Sequence, residues 1–454
     1  THPDMPWDAT TLWVAAVEED GGLAEPVRVA GGPAESVVQP AWLPDGRLVY
    51  VSDRNGWWNL YLWDGAASRP ILPMAAEFAH PLWVFGIRDL AVVDARTLAC
   101  VHTRDGTWTL GLVDVEDGAL RPFDLPFTDI GDLHADGRTL TFCAAGPATP
   151  NAVVTLDLDR GAVETVRHAT AALPDPAYVS TAQAIRFPTG GGGQAHAFYY
   201  PPANRGFAAP DGERPPLIVR SHGGPTAATS AAYNPKIQFW TSRGFAVVDV
   251  NYRGSTGYGR PYRDALKGAW GVADVADCVA AARHLADRGL ADPARLAIAG
   301  SSAGGYCVLC AVTFHAVFRA GASHYGISDL EALASETHKF EKHYLDSLVG
   351  PYPERRDLYV ERSPIHHVDR LAVPMVFFQG LEDQVVPPGQ TQRMVDAIDA
   401  KGLPVAYVTF AGERHGFRRA ETIVAALEGE LYFYGRVFGF TPAGDLPGIP
   451  IRNL

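Results

Sequence analysis

Three stretches in the first third of the chain share one pattern, and a repeat of this kind restricts the choice of fold more than any other feature of the sequence. Each is a turn led by an acidic residue, a β-prone run, and a second β-prone run closing on aspartate. They read "PDGRLVYVSD" to "NLYLWDG", "DARTLACVH" to "TLGLVDVEDG", and "ADGRTLTFCA" to "VVTLDLDRG". Asp45, Asp94 and Asp136 lead them, and Asp64, Asp114 and Asp157 close them. A period of about 40 to 50 residues with several strands per unit is the signature of β-propeller blades. A fragment starting at Thr11, "TLWVAAVEEDGG", reads as the last strand of another blade whose beginning is missing. That makes about three and a half blades, short of the four to eight that close a propeller, and it leaves sheet edges exposed. The expectation is a β-propeller domain over residues 1–175, incomplete at its N-terminus, with further blades upstream of Thr1. A small open β-domain is the alternative.

The pattern changes near Ala182. A hairpin around Gly190 to Gly193 leads through a proline-rich loop into candidate strands at 217–221, 245–251, 295–300, 318–325, 374–380 and 405–410. Helical stretches such as "DVADCVAAARHLADRG" separate most of them, and alternation of this kind predicts a mostly parallel, doubly wound sheet covered on both faces. Two domains also suit the 454 residues, because single cores stop growing near about 250 to 300 residues. The second domain is placed at 176–454, with an α/β-hydrolase arrangement.

Its chemistry centres on Gly300-Ser301-Ser302-Ala303-Gly304, a G-x-S-x-G between a strand and a helix. Flanking glycines keep a Cβ out of the sharp elbow that exposes a nucleophile, so Ser302 rather than Ser301 is the candidate. A serine hydroxyl needs a base, and the base an orienting acid. In the order Ser, acid, His, the candidates are Asp383 in "QGLEDQVVPP" and His415 in "FAGERHGFRR", each just past a strand. Glu382 and Asp329 are rival acids. His222, His366 and His367 are read as structural or surface side chains. An oxyanion site needs two N–H donors, one from Ala303 and one from "RSHGGPT", where Gly223 and Gly224 let the backbone approach a substrate.

The ordered set "SHGGP", "NYRGSTGYG", "GSSAGGY", "GLEDQVVPP" and "GERHGF" behind propeller-like repeats resembles the prolyl oligopeptidase family of serine peptidases. Within that family it is most similar to the acylaminoacyl-peptidase and dipeptidyl-aminopeptidase branch. The resemblance implies a triad of Ser302, Asp383 and His415, an oxyanion hole from Gly224 and Ala303, and a propeller that restricts access to short peptides. Tyr325 and Val385 are the candidate substrate contacts. Val385 stands where relatives carry an amide or an arginine, and the acidic pair that grips a free N-terminus in dipeptidyl peptidases has no counterpart visible in the sequence. The implied function is a serine exopeptidase acting at N-termini. A carboxypeptidase or oligoendopeptidase of the same family, a small-ester hydrolase and a non-catalytic propeller module are the alternatives.

The remaining features bound partners. A formal net charge of −13 without clustered Lys and Arg excludes a phosphate-backbone partner, so no nucleic acid is expected. No apolar run is long enough for a bilayer. Five cysteines suggest a reducing, cytoplasmic compartment rather than a disulfide framework, and Cys307 and Cys310 read as small buried hydrophobes. No cofactor and no metal are expected. Ile423, Leu427, Leu431 and Tyr434 form a helical stripe whose default use is packing on the sheet, with a homo-oligomer contact as the alternative.

Overall fold

The computed structural model describes residues 2–454, which divide into two compact units. One holds the residues up to Pro174 together with 230–234 and 256–264; the other holds Asp175–Thr229, Pro235–Ser255 and Ala265–Leu454. Nothing in the sequence marks the two short inserts.

In the first unit, β1 (Thr11–Val14) and β2 (Val27–Gly31) pair as a two-stranded antiparallel sheet. Three four-stranded sheets follow: β3 (Val37–Trp42) to β6 (Ser68–Pro70) through β4 (Leu48–Ser52) and β5 (Asn59–Trp63); β7 (Leu90–Val92) to β10 (Leu120–Pro122) through β8 (Thr97–Arg104) and β9 (Thr107–Asp114); and β11 (Asp129–Asp136) to β14 (Val163–His168) through β12 (Thr139–Ala145) and β13 (Ala152–Asp157). Strands neighbour in chain order within each sheet, as in propeller blades. The repeated aspartates are turn formers. Asp64, Asp114 and Asp157 sit between the third and fourth strands and accept N–H groups two or three residues on, from Ala66 and Ala67, from Glu116, and from Asp159 and Arg160. The expected last strand at Thr11 is corrected by β2, which follows it and pairs with it. Its outward-facing Val27 and charged Arg28 hide the strand pattern.

The insert 256–264 includes the helix α2 (Arg260–Asp264) and is held by charge within this unit. Asp53, buried at the end of the β3–β6 sheet, receives Arg260 at 2.7 Å and also Arg263, whose guanidinium lies 4.3 Å over the Trp58 ring. Glu77 accepts the N–H groups of Trp58 at 2.6 Å and Gly259 at 3.1 Å.

The second unit is built on an eight-stranded sheet in the order β15, β16, β18, β17, β19, β20, β21, β22, comprising β15 (Gln183–Pro188), β16 (Gln194–Tyr200), β17 (Leu217–Ser221), β18 (Ala246–Asn251), β19 (Leu296–Ser301), β20 (Ala320–His324), β21 (Met375–Gly380) and β22 (Val405–Phe410). The hairpin β15–β16 joins β18 antiparallel and the other pairs are parallel. All of β18 is buried, as a strand covered on both faces must be. Helices packed on this sheet are α1 (Pro235–Thr241), α3 (Ala273–Asp287), α4 (Ala303–Phe314), α8 (Pro388–Ala400) and α9 (Ala420–Phe438), while α5 (Leu330–Glu336), α6 (Tyr344–Leu348) and α7 (Arg356–Glu361) lie in the connection from β20 to β21. No helix of the described residues is long and apolar enough to cross a membrane. The five cysteines are free, and Cys307 and Cys310 are buried.

On α9 the expected stripe is shifted. Thr422, Ala426, Gly429, Glu430, Phe433 and Tyr434 are buried with Leu431, while Ile423 and Leu427 are only half-buried. The helix turns its small residues to the sheet, where a Cβ on Gly429 would lie 3.4 Å from the Phe378 ring. Glu430 tolerates burial because His324 and the Tyr434 hydroxyl bond it at 3.1 and 2.9 Å.

At the start of α3, Asp274 is buried, and its Oδ1 accepts the Gly271 N–H at 2.8 Å while Oδ2 has no partner. Burial raises this carboxyl from 3.8 to about 7, against the Gly271 N–H, so the unpartnered oxygen suits a protonated acid. Because the folded value lies above the unfolded one, the folded state holds the extra proton. This contribution is complete below about pH 4 and fades as pH rises towards 7. Asp274→Asn keeps the acceptor for Gly271 and removes the titration. The variant should therefore gain on the wild type between pH 5 and pH 8, by about 2 to 3 kcal/mol. Thermal unfolding across that range checks it; parallel curves for the two proteins would refute it.

Candidate active site

Ser302 stands between β19 and α4 with φ 57° and ψ −121°, a conformation a side chain adopts only under constraint. The constraint is close packing on both sides. A Cβ on Gly300 would lie 2.4 Å from the Gly304 carbonyl oxygen, and one on Gly304 only 2.1 Å from that of Ser221. The Ser302 N–H donates to the His324 carbonyl on β20 at 3.0 Å, and its own carbonyl accepts Tyr306 N–H at 3.0 Å as α4 begins. The side chain is left at the carboxyl end of the sheet, partly exposed.

Asp383 follows β21 and His415 follows β22, so adjacent parallel strands deliver both to that end. The Asp383 side chain is fully buried. Its Oδ1 accepts the N–H groups of Val385 and Val386, both at 2.9 Å. Its Oδ2 faces His415 Nδ1 at 2.8 Å, and His415 Nε2 lies 2.8 Å from Ser302 Oγ. An ionised carboxylate only accepts, so Nδ1 carries the proton and Nε2 is free to take one from the serine hydroxyl. Gln379 braces the acid, its Nε2 donating to Oδ2 at 3.4 Å while Thr391 holds its Oε1 at 2.7 Å.

The rival side chains are occupied elsewhere. Glu382 is exposed. Asp329 caps α5 by accepting Glu331 and Ala332 N–H groups. His366 and His367 lie in a 3-10 turn over Pro364–Arg370. Burial lowers the His222 imidazole, which stacks on Tyr252 and bonds the Gly223 carbonyl and Ser255 Oγ at 2.7 and 2.8 Å.

Around the serine, Ala303 opens α4, where the first N–H groups lack helical partners. A Cβ on Gly223 would be 3.7 Å from that of Ser302, so the HGGP turn runs beside it. Gly224 adopts φ +124°, and a Cβ there would meet the Thr226 nitrogen at 2.9 Å. Tyr325, at φ +40°, sets its ring 5.0 Å from that of His415 and 5.1 Å from Phe417. Burial raises its hydroxyl, and a hydrogen bond with Ser301 opposes that. Val385 meets the site through the N–H it gives Asp383. Among the described residues no cluster of His, Cys, Asp or Glu is arranged to hold a metal.

Glu413 is a structural member of the site that sequence reading passed over, although it stands inside the "GERHGF" motif. Burial would raise its carboxyl, but the N–H groups of Arg419 and Arg418 more than offset this and leave it below its ordinary value. Those bonds close the loop carrying His415 onto the start of α9. The Glu413 carbonyl meanwhile accepts Glu382 N–H at 2.9 Å, tying that loop to the one carrying Asp383.

Comparison with known proteins adds three findings. The sequence pattern of the prolyl oligopeptidase family matches residues 231–441. A puromycin-hydrolyzing peptidase of Mycobacterium tuberculosis is 45% identical over all of this chain and 69% of its own, with a TM-score of 0.96; a puromycin hydrolase is 43% identical over 99% and 68%, with a TM-score of 0.95. Dipeptidyl aminopeptidase BIII of Pseudoxanthomonas mexicana is 34% identical over 212 residues, 45% of this chain. That match covers 31% of the relative, and the chain spans about a third of the length of the first curated relatives it matches.

Proposed function

The chain belongs to the prolyl oligopeptidase family, and from that membership we propose that it is a serine peptidase that cleaves short peptides near their N-termini through an acyl-enzyme. The observation that carries this reading is the hydrogen-bonded line from Asp383 through His415 to a serine on a strained elbow. In the proposed reaction Ser302 Oγ attacks the scissile carbonyl as His415 Nε2 takes its proton. Asp383 holds the Nδ1–H tautomer and stabilises the imidazolium. The tetrahedral oxyanion receives the N–H groups of Ala303 and Gly224. Collapse expels the amine, protonated by His415, and a water activated the same way releases the acid. Tyr325 walls the imidazole, and Val385 borders the same loop.

N-terminal processing is favoured by the dipeptidyl aminopeptidase and acylamino-acid-releasing enzymes among the relatives, and puromycin is a natural first compound to offer because two similar structures carry its name. Reaction with a fluorophosphonate followed by peptide mapping should find the label on Ser302. Label on any other residue of the folded protein would reject the assignment.

Gly224→Val tests the second oxyanion donor. A β-branched residue at φ +124° must move the turn, because its Cβ would press on Thr226 and Ala227. The expected cost is about 100 to 1000-fold in kcat with a smaller change in KM. Unchanged turnover would remove the HGGP turn from the mechanism.

A further inference from the structure

At the carboxyl ends of β19 and β20, two residues hold backbone conformations that side chains rarely adopt, and one hydrogen bond joins their segments. Ser302 is the first; the second is Tyr325, at φ +40° just past β20. Ser301 pairs with His324 across the two strands, and the Ser302 N–H donates to the His324 carbonyl at 3.0 Å. The peptide unit that receives the candidate nucleophile is therefore the one that leads into the second strained residue. Strain of this kind persists only where surrounding contacts over-determine it.

The contacts that fix His324 and Tyr325 come from two directions. From β21, the Phe378 carbonyl accepts Tyr325 N–H at 2.8 Å, and the Phe378 ring stacks on the His324 imidazole at 4.7 Å. From α9, Glu430 holds the same imidazole, its Oε2 lying 3.1 Å from His324 Nε2. An ionised carboxylate only accepts, so Nε2 is the donor. Glu430 is buried, and its Oε1 accepts the Tyr434 hydroxyl at 2.9 Å, so the carboxylate has a fixed direction. A stacked ring resists tilting but can slide in its own plane. The bond to Glu430 is what stops the slide.

We propose that His324 is a positioning residue for the attack by Ser302, and that Glu430 on α9 sets its position. This rests on the reading of Ser302 as nucleophile. When the imidazole slides off Glu430, the His324 backbone follows, and with it the carbonyl that accepts Ser302 N–H. Ser302 Oγ then leaves the 2.8 Å line to His415 Nε2 along which its proton passes. The Tyr325 ring moves in the same sense and loosens the wall that lies 5.0 Å from the His415 ring. A misplacement of about 1 Å costs about 100-fold in rate. Substrate binding depends far less on that line, so the loss falls on kcat. A hydrogen bond behind the sheet thus reaches the serine through the backbone.

The test uses the full chain as wild type and four variants, read by turnover of one p-nitroanilide substrate, by the rate of fluorophosphonate labelling and by denaturant titration. Glu430→Ala breaks the bond and should lose about 10 to 100-fold in kcat and in labelling rate, with KM within about threefold of the wild type. Glu430→Gln still accepts from His324 Nε2 and should recover most of that loss. Tyr434→Phe removes the other hydrogen bond of the same carboxylate, so it should cost stability without freeing the imidazole, and its kcat should stay within about threefold. His324→Phe combined with Glu430→Gln keeps the ring stack and buries no unmatched charge. This double variant should fold and show the kcat loss of Glu430→Ala, and it decides the question where Glu430→Ala does not fold. Four results would overturn the proposal: a kcat loss in Tyr434→Phe equal to that of Glu430→Ala, a loss confined to KM, no rescue by Glu430→Gln, or full activity in the double variant. Absence of label on Ser302 in the wild type would instead overturn the serine reading itself.

Discussion

Ser302→Ala is expected to reduce peptide hydrolysis by about 10⁶-fold while leaving the protein folded, because removal of the proposed nucleophile from such a unit leaves only the residual help of oxyanion donors and substrate binding. The stability argument is separate and runs through the backbone. The bond from Ser302 Oγ to His415 lies at a partly exposed position, so its loss costs little. Alanine still carries a Cβ, and the close contacts of Gly300 and Gly304 still hold position 302 at φ 57°. The strain of about 1 to 3 kcal/mol therefore persists in Ser302→Ala and is released in Ser302→Gly, less the roughly 0.5 to 1 kcal/mol that glycine loses in chain entropy. Both variants should be inactive, with Ser302→Gly the more stable by about 1 kcal/mol. Turnover assays and denaturant titrations read the two effects independently. Residual activity above about one part in 10⁴ in Ser302→Ala would move the nucleophile elsewhere.

Asp383→Asn should cost about 10⁴-fold in kcat, and the reason lies in which oxygen it replaces. Oδ1 takes two N–H groups, from Val385 and Val386, so the amide of asparagine must keep its oxygen there. Its NH₂ then points at His415 Nδ1 and at Gln379 Nε2, two places where the carboxylate accepted. A donor facing Nδ1 forces the ring proton to Nε2, where it blocks transfer from Ser302. The imidazole stays in place in the wrong tautomer. The expected signature is a large fall in kcat and in the rate of fluorophosphonate labelling, with the folded structure retained. If labelling proceeds at the wild-type rate, Asp383 is not the orienting acid.

Much of the second unit was legible because its physics is local. A strand buried on both faces must be apolar along most of its length, and "FAVVDVN" and "RLAIAG" are, the buried Asp249 being matched by the Thr229 hydroxyl at 2.7 Å; a serine elbow needs glycines at two fixed places, and Gly300 and Gly304 occupy them. The repeats were legible through their turn-forming aspartates. What escaped depends on contacts distant in sequence. The identity of the strand at Thr11 turned on its partner β2, whose residues face water. The buried face of α9 was set by the ring of Phe378 against Gly429, and by a His324–Glu430 bond between residues 106 positions apart. Glu413 looks like an ordinary surface acid in a chain with 51 acidic residues, and only the folded backbone distinguishes it.

The insert at 256–264 bears on the order in which the chain can be finished as it leaves the ribosome. Arg260 and Arg263 reach Asp53 across 207 and 210 positions, and Gly259 reaches Glu77 across 182. When residue 174 has been made, the sheet of β3 to β6 still lacks the guanidinium groups that match its buried carboxylate, and an uncompensated buried charge is strongly unfavourable. The amino-terminal unit therefore waits, uncapped, until β15 to β18 have been synthesised. A fragment cut at the apparent boundary after Pro174 lacks the last piece of its own core.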